Sequence, residues 1–300
     1  MLADSLHDAT PTTPTTNTTP PSTSNSTSNT PSHQSDADAP TGVGHIARFR
    51  YAAAWLGHAT VLLRQAGLTL LVDPVLTNRI GPRIRQRTIG PTRLAPCPVA
   101  IADLPAIDLV LLTHAHFDHL DKPTLEALAN PGTTVITAKR THKLIPPGFA
   151  EVIELSQSDE MCAGDLRISA IQPAHWGSRS ALDFSRGCNS YLLKSPEART
   201  LLPGDTAKTD VFENLGQVDL AAFGIGAYEP SEHHHATPEQ VWEMFCHIPG
   251  KVLLPIHHST FELSAEHIDE PMARLLAAAA DMQYKIAKVQ PGQVWLPRPA

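Results

Sequence analysis

The sequence predicts an α/β fold built on mixed β-sheets with flanking helices. Short apolar runs of strand length alternate with helical segments, and the first clear pair of strands forms a hairpin rather than a βαβ unit. The chain has 300 residues, of which 42% are hydrophobic, enough for one large domain or two small ones. Since a hairpin places antiparallel strands beside the later ones, we expect mixed sheets rather than a purely parallel sheet.

The first part of the chain has a different composition. Residues 10–44 are mainly Thr, Ser, Pro and Asn, with almost no large apolar side chains. Such a segment cannot bury enough surface to offset the entropy lost on ordering. We therefore predict a disordered tail over residues 1–44 and a globular domain over residues 45–300.

The predicted elements of the globular part begin with strands. We expect a strand at 48–54, a hairpin of strands 60–64 and 68–72, a surface loop over 79–93 and a buried strand at 108–112. Asp121 is a plausible N-cap for a helix over 124–129. Further strands are expected at 135–138, 151–155, 166–172, 188–194, 200–202, 219–223 and 251–254, and helices at 238–246 and 271–282.

Composition and charge exclude some classes of function. The net charge of −7 argues against broad nucleic-acid binding, which needs a basic face. No apolar run has the roughly 18 residues of a membrane span, and the N-terminus lacks the features of a secretory signal, so we expect a cytoplasmic protein. With 16 histidines and only 4 cysteines, none in a CxxC pair, a metal site would use imidazole and carboxylate ligands.

One run of residues carries most of the chemical signal. His114, His116, Asp118 and His119 form the pattern HxHxDH directly after the buried strand 108–112. Imidazole nitrogens and a carboxylate suit Zn(II), and also Mn or Fe. Four potential ligands within six residues are too many for one tetrahedral ion once distant ligands join, so the run indicates two metals. The alternative is a solvated His-rich turn.

Three later residues are candidate partners of this run. His175, Asp205 and His257 each follow an apolar segment of strand length. A sheet edge can present such residues to a common crevice, where they would supply the remaining ligands and a bridging carboxylate.

The pattern HxHxDH, then a lone His, then Gly-Asp-Thr, then a terminal His resembles the metallo-β-lactamase superfamily. Within it, residues from about 45 to 263 are most similar to the N-acylphosphatidylethanolamine-hydrolysing phospholipases D. The motifs that carry this similarity are Trp55 to Thr60, Asp73-Pro74-Val75, Gly90-Pro91, His114 to Asp121, Pro173 to Trp176, Gly204-Asp205-Thr206, Ile225 to Pro230, and Ile256-His257 with Thr260-Phe261. The L-ascorbate-6-phosphate lactonases share the metal motifs but fewer of the flanking ones.

The resemblance implies a fold and a set of ligands. The fold would be an αβ/βα sandwich of two mixed β-sheets, covered by helices, with the metals at one edge. His114, His116 and His175 would hold the first metal, and Asp118, His119 and His257 the second. Asp205 would bridge them, and His257 rather than His258 matches the family pattern. Asp118 and Asp205 would also be the catalytic carboxylates that orient the nucleophile.

The resemblance also suggests residues around the metals. Asp73 would support the ligand loop by hydrogen bonds. His58, Tyr228, Glu229 and His235 are the other candidates for the surroundings of the ligands or for the substrate pocket; for His58 a structural role is an equal alternative. Two segments, 177–184 and 231–234, depart from the family pattern in loops that shape the pocket.

The expected function is hydrolysis of a phosphodiester by a hydroxide that bridges two divalent cations, with zinc expected and Mn or Fe as alternatives. The expected substrate resembles N-acylphosphatidylethanolamine. The alternatives are hydrolysis of a sugar-phosphate lactone and a non-catalytic metal-binding protein. We expect a lipid or small-molecule substrate, no nucleic-acid partner, no transmembrane segment, possible peripheral contact with a membrane, and a homodimer by family resemblance.

A cluster of arginines in the predicted loop is the local exception to the acidic charge. It comprises Arg79, Arg83, Arg85, Arg87 and Arg93. The cluster could contact lipid phosphates or be solvated, and the sequence slightly favours solvation.

Overall fold

The computed structural model describes residues 42–85, 87–179 and 183–298. Most of the predicted tail, residues 1–41, lies outside the described residues. Its last two residues, Val43 and Gly44, belong to a short 3-10 helix, Val43–Arg48, in which Val43 is buried.

The described strands and helices follow the predicted order. The strands are β1 (Ala52–Trp55), β2 (Val61–Gln65), β3 (Leu68–Val72), β4 (Arg83–Ile84), β5 (Arg87–Thr88), β6 (Leu109–Leu111), β7 (Thr134–Ala138), β8 (Glu151–Leu155), β9 (Glu160–Ala163), β10 (Leu166–Ile171), β11 (Ser190–Lys194), β12 (Arg199–Gly204), β13 (Val218–Gly224), β14 (Gly250–Ile256) and β15 (Val294–Trp295). The α-helices are α1 (Lys122–Leu128), α2 (Pro238–His247) and α3 (Glu270–Ala279).

Two large mixed sheets carry the fold. The first has the order β15-β1-β2-β3-β6-β7-β8 and the second has the order β14-β13-β12-β11-β10-β9. In the first, β3, β6, β7 and β8 run parallel, whereas β1, β2 and β15 pair antiparallel. In the second, β12, β13 and β14 are parallel, and β9 to β12 pair antiparallel in succession.

The main hydrophobic core lies between the two sheets. It joins Leu63 and Leu70 of the first sheet to Leu193 and Leu254 of the second, all of them fully buried. Burying each such side chain contributes about 1.5–3 kcal/mol to folding.

Helices cover the outer faces of both sheets. Leu125 of α1 packs on Val110 and Val135 of the first sheet, and Phe245 of α2 and Leu275 of α3 share a core with the second sheet. This arrangement is the predicted αβ/βα sandwich. None of the described helices is long and apolar enough to cross a bilayer.

Most predicted elements are confirmed, and the differences have simple causes. The hairpin of β2 and β3 and the strand β8 are present, and Asp121 caps α1 by accepting a hydrogen bond from the backbone N–H of Thr124. The strand predicted over 48–54 begins only at Ala52, after the 3-10 helix. The exposed edge strand β9 and the two-residue strand β15 were not predicted, because neither contains an apolar run long enough to stand out.

The segment expected to be a surface loop is partly ordered. It contains β4 and β5, which form a two-stranded ribbon. Its last arginine, Arg93, is buried, and its guanidinium donates hydrogen bonds to the backbone carbonyls of Leu56 and Val75. The expectation of a wholly solvated arginine cluster is therefore wrong for Arg93, which anchors the ribbon to the domain.

Candidate metal centre

The ends of four strands bring the predicted ligands together. The HxHxDH run begins three residues beyond β6, and His175 lies four residues beyond β10. Asp205 and His257 directly follow β12 and β14. Since β10, β12 and β14 run in one direction, their carboxyl ends meet at one edge of the second sheet. The ligand types that the sequence places far apart are thus gathered at one site.

The first group of ligand atoms comes from three histidines. The Nε2 of His114 lies 2.8 Å from the Nδ1 of His116, and the Nε2 of His175 lies 3.4 Å from that same Nδ1. Asp205 Oδ2 is 3.6 Å from His114 Nε2 and 3.8 Å from His175 Nε2. These four side chains could hold one metal ion.

The second group surrounds Asp118. Its Oδ2 lies 3.3 Å from His257 Nε2 and 3.7 Å from His119 Nε2. His58 completes this group, since its Nε2 is 2.9 Å from the same oxygen.

Asp205 reaches both groups. Its Oδ2 lies 3.0 Å from His119 Nε2, and its Oδ1 lies 3.4 Å from His257 Nε2, while the Oδ2 also faces His114. The carboxylate therefore stands between the two sets of imidazoles, the position expected of a bridging ligand.

The chemistry of these atoms fits divalent metal ions. His119 Nε2, His257 Nε2 and Asp205 Oδ2 are buried side-chain atoms without a hydrogen-bond partner among the described residues. Buried polar atoms are rarely left in this state, because each costs about 1–3 kcal/mol. A cation bound between them would satisfy all three, so the residues present fit a metal centre.

Burial keeps most of the imidazoles in the form that binds metal. Burial lowers the pKa of His114 well below its usual value and lowers the pKa of His116 and of His175 to about 4. These rings are therefore neutral at pH 7, with a lone pair free for a cation.

The two carboxylates create a strongly negative site. Burial alone would raise the pKa of Asp205, but His119 and His257 outweigh burial and hold that pKa well below its usual value. The pKa of Asp118 is lowered in the same way, and His119 is the largest influence that opposes burial. Conversely, burial would lower the pKa of His119 and His257, and the adjacent carboxylates, Asp205 foremost, raise it. The site thus favours positive charge.

Asp73 supports ligands of both groups. Its Oδ2 lies 2.8 Å from His119 Nδ1 and accepts a 2.6 Å hydrogen bond from the hydroxyl of Thr113, whose Oγ1 is 3.0 Å from His114 Nδ1. Its Oδ1 accepts from the backbone N–H of Thr113. These bonds orient both rings so that each Nε2 faces the site.

His58 lies beside the ligands, as the family motif suggested. It is almost fully buried, and burial together with His257 lowers its pKa to about 3. A neutral His58 can donate a hydrogen bond from Nε2 to Asp118. Any functional role of His58 would act through this contact with a predicted metal ligand.

The close approach of Gly204 to the side chain of Thr113 sets the position of Asp205. Gly204 has a φ of +62°, and a Cβ at this position would lie 2.9 Å from the side chain of Thr113. Any larger residue would push β12 away from the loop after β6 and separate Asp205 from the histidines.

A cavity of about 350 Å³ opens onto the ligands. Its lining includes ligands of both groups and the predicted pocket residues Glu229 and His235, with the rest of the wall formed by two loops. The lining residues are His116, Asp118, Asp205, Ala227, Glu229, Pro230, Ser231, His235, His257, Leu263, Ser264 and Ala265.

His235 and its neighbours separate into different environments. The Nδ1 of His235 is 3.9 Å from Asp205 Oδ2, and burial lowers its pKa to about 4, so it presents a neutral imidazole beside the ligands. His258 instead stacks on Trp55 at 4.6 Å, away from the two groups.

Tyr228, unlike Glu229 and His235, does not line the cavity. This residue is fully buried and lies outside the lining of the cavity, and its hydroxyl donates a 2.9 Å hydrogen bond to Glu270 of α3. The positive φ of Ala227, +65°, turns the chain so that Tyr228 points into the domain beneath Arg274.

Two residues that shape the site were not predicted. The guanidinium of Arg179 donates to the carbonyl oxygens of Ala115 and Leu120, at 2.8 and 3.0 Å, and so holds the two ends of the ligand loop. The carboxylate of Glu266 accepts from the backbone N–H groups of Ala227 and Glu229. Neither lies in a metal-ligand pattern, and Arg179 falls in a loop that departs from the family.

The fold and the buried His/Asp site together define a metal-dependent hydrolase of the αβ/βα sandwich class. Comparison with known proteins gives the family. The profile described as the beta-lactamase superfamily domain matches residues 69–258, and the chain belongs to the metallo-β-lactamase superfamily.

The chain is also similar to individual proteins. The chain is 31% identical over 263 residues to an uncharacterized protein of Mycobacterium tuberculosis, covering 81% of this chain and 68% of that one. It is 30% identical over 269 residues to an N-acyl-phosphatidylethanolamine-hydrolyzing phospholipase D of Caenorhabditis elegans, covering 81% and 75%. The solved structure of a metallo hydrolase from Ignicoccus hospitalis matches with a TM-score of 0.61 at 18% identity, covering 82% and 97%.

Proposed function

We propose that this hydrolase is a phosphodiesterase of the phospholipase D type that acts on lipids resembling N-acylphosphatidylethanolamine. The observation that carries the proposal is the pair of ligand groups joined by Asp205, at the floor of a cavity that opens to the surface. The similarity to the nematode phospholipase supports the choice of substrate.

The proposal assigns a metal to each ligand group. His114, His116 and His175 would hold one cation, Asp118, His119 and His257 the other, and Asp205 would contact both. Two divalent cations, expected to be zinc, would lower the pKa of water towards neutrality and offset the charge that develops on the phosphoryl oxygens.

The side chains around the cavity would orient the attacking water and help to protonate the leaving group. Asp118 and Asp205 border the cavity, where their carboxylates can accept a hydrogen bond from the attacking water and orient it towards phosphorus. The attacking water bonds to phosphorus and releases a proton to solvent. The bond between phosphorus and the alcohol oxygen breaks, and the leaving alkoxide takes up a proton from water, either directly or through His235, which regains its proton from solvent. The products are a phosphatidate and an alcohol such as an N-acylethanolamine.

The wall of the cavity supports a substrate with an apolar part. Ala227, Pro230, Leu263 and Ala265 form one portion of the lining. Leu263 is 36% exposed, so an apolar side chain stands at the cavity where it can contact a lipid chain.

A second candidate is hydrolysis of a sugar-phosphate lactone. The observation that favours it is the polar portion of the same lining, formed by Glu229, Ser231 and Ser264. These groups suit a hydroxylated substrate better than an acyl chain.

Product analysis tests the two candidates directly. Purified protein loaded with Zn(II) or Mn(II) is incubated with N-acylphosphatidylethanolamine in mixed micelles and, separately, with a sugar-phosphate lactone. We expect release of phosphatidate, detected by mass spectrometry, and loss of that release in Asp205→Asn. Turnover of the lactone without turnover of any phosphodiester would replace the first proposal with the second.

A further inference from the structure

The β4–β5 ribbon, defined here as residues 78–85 and 87–93, has an unusual combination of charge and exposure. Residues 74–102 contain five arginines and no acidic residue, in a chain whose net charge is −7. Within this segment Ile84, Ile89 and Leu94 are 55%, 53% and 49% exposed. Large apolar side chains exposed between arginines indicate an interaction surface.

Antiparallel backbone hydrogen bonds recur along the described part of the ribbon. Ile89 donates to the carbonyl of Pro82, Ile80 to that of Pro91 and Arg93 to that of Asn78. At its base, Ile80 is buried against Val75 and Phe261, and the guanidinium of Arg93 is anchored in the domain. The ribbon is therefore held by the domain rather than loosely attached to it.

The register of the ribbon separates two faces. Arg83 pairs with Thr88, and Ile84 pairs with Arg87. Because successive pairs of an antiparallel ladder point to opposite sides, Ile84, Arg87 and Ile89 share one face, and Arg83 and Thr88 share the other.

The face with Arg83 is turned towards the domain. The guanidinium of Arg83 lies 3.1 Å from a carboxylate oxygen of Glu126 in α1, and Thr88 is half-buried. The opposite face thus presents two exposed isoleucines with Arg87. Among the described residues, neither Arg87 nor Arg85 at the turn forms an ion pair with a carboxylate, whereas Arg83 does.

The base of the ribbon is joined to the segment that leads to the cavity. The backbone N–H of Leu94, just beyond its end, donates a 2.9 Å hydrogen bond to the carbonyl of Thr260, and Leu263, three residues later, lines the cavity. The base of the ribbon and one wall of the cavity therefore belong to connected segments.

We propose that the outer face of the β4–β5 ribbon docks the protein onto a lipid bilayer that carries anionic headgroups. Ile84 and Ile89 enter the boundary between headgroups and acyl chains, and Arg85 and Arg87 bind the phosphates above them. Charge complementarity selects an anionic surface. The two exposed isoleucines select a bilayer over a nucleic acid, which would bind the arginines without needing apolar contacts. The inference rests on the ribbon alone and holds whichever substrate the cavity takes.

Co-sedimentation of the full chain with vesicles tests the docking. Vesicles of phosphatidylcholine with and without phosphatidylglycerol are compared at low and high salt. We expect binding only to the anionic vesicles. Ile84→Ser with Ile89→Ser should lower the affinity about tenfold or more, and Arg85→Gln with Arg87→Gln should lower it about fivefold per arginine removed. High salt should weaken the binding of the parent protein more than that of the double arginine variant.

Matched controls lie in the second large sheet and beyond it. Arg167→Gln in β10 removes an exposed arginine, and Val211→Ser removes an exposed apolar side chain. Both should bind vesicles like the parent protein, and the thermal midpoint should be unchanged in all variants.

Three outcomes would overturn the docking proposal. These are failure of the parent protein to bind anionic vesicles, equal binding by the ribbon and control variants, and binding to duplex DNA that the isoleucine substitutions leave unchanged. The hydrolysis of a water-soluble phosphodiester by the parent protein is measured in parallel. This activity needs no membrane, so it tests the proposed function independently of vesicle binding. Vesicle binding without such hydrolysis would count against the substrate only, and hydrolysis without vesicle binding against the docking only.

Discussion

Asp73 and His119 are joined by a buried contact in which Oδ2 of the carboxylate lies 2.8 Å from Nδ1 of the imidazole. The same carboxylate accepts both hydrogen bonds that Thr113 offers, and Thr113 in turn contacts His114. One residue at the end of β3 therefore orients a histidine of each ligand group, although it belongs to neither.

Replacing Asp73 tests this supporting role. Asp73→Ala removes the acceptor for His119 and Thr113, so we expect metal affinity to fall about 10–100-fold. The measurement is a chelator-competition titration. Asp73→Asn keeps one carbonyl oxygen and should lose less affinity. If both variants bound metal like the parent protein, Asp73 would have no part in orienting the ligands.

Asp205 should behave differently, because its carboxylate lies between the two groups. Asp205→Asn keeps the side-chain volume but removes the charge, so we expect activity to fall by orders of magnitude while the fold is retained. Steady-state kinetics and circular dichroism provide the comparison. Asp165→Asn, in an exposed turn, is the matched control and should be fully active. Equal and small effects of the Asp73 and Asp205 substitutions would refute their assigned roles.

Arg179 should stabilise the ligand loop. Its two charge-assisted hydrogen bonds reach the carbonyls of Ala115 and Leu120, and its guanidinium lies 4.2 Å from the ring centre of Phe117. Arg179→Met should therefore lower the free energy of unfolding by about 2–3 kcal/mol and weaken metal binding as well. Urea denaturation and metal titration check both effects. Stability loss with unchanged metal affinity would show that Arg179 does not position the ligands.

His235 should affect the reaction without holding the metals. It lines the cavity, where its Nδ1 is 3.9 Å from Asp205 Oδ2, and it stands outside the two groups that surround Asp118 and His116. We expect His235→Gln to retain its metal and to lose about 100-fold in kcat. Elemental analysis in parallel with kinetics separates the two effects. Loss of metal from this variant would make His235 a ligand instead.

The sequence predicted the site better than its surroundings. A local pattern after one apolar run contains His114, His116, Asp118 and His119. Other apolar runs precede His175, Asp205 and His257, so the predicted strand ends alone suggested that these residues meet at one edge of a sheet. The same reasoning could not find Arg179 or Glu266, since their partners are backbone atoms that only the tertiary fold brings near.

Other features that the sequence did not predict have a similar origin. The strand β15 has two residues and is defined by its pairing with β1, more than 230 residues earlier in the chain. Tyr228 lies in a family motif between two residues that line the cavity, and only the positive φ of Ala227 shows that its side chain turns inward. Features that depend on long-range pairing or on one backbone dihedral leave no periodic signal in the sequence.

The content of metal per chain tests the account most directly. After dialysis against metal-free buffer, elemental analysis of the parent protein should give about two divalent ions per chain, as expected for a pair of adjacent metal sites. His257→Ala, which removes a ligand of one group only, should retain about one. A value of one or less in the parent protein, or the same value in both proteins, would contradict a centre built from two ligand groups joined by Asp205.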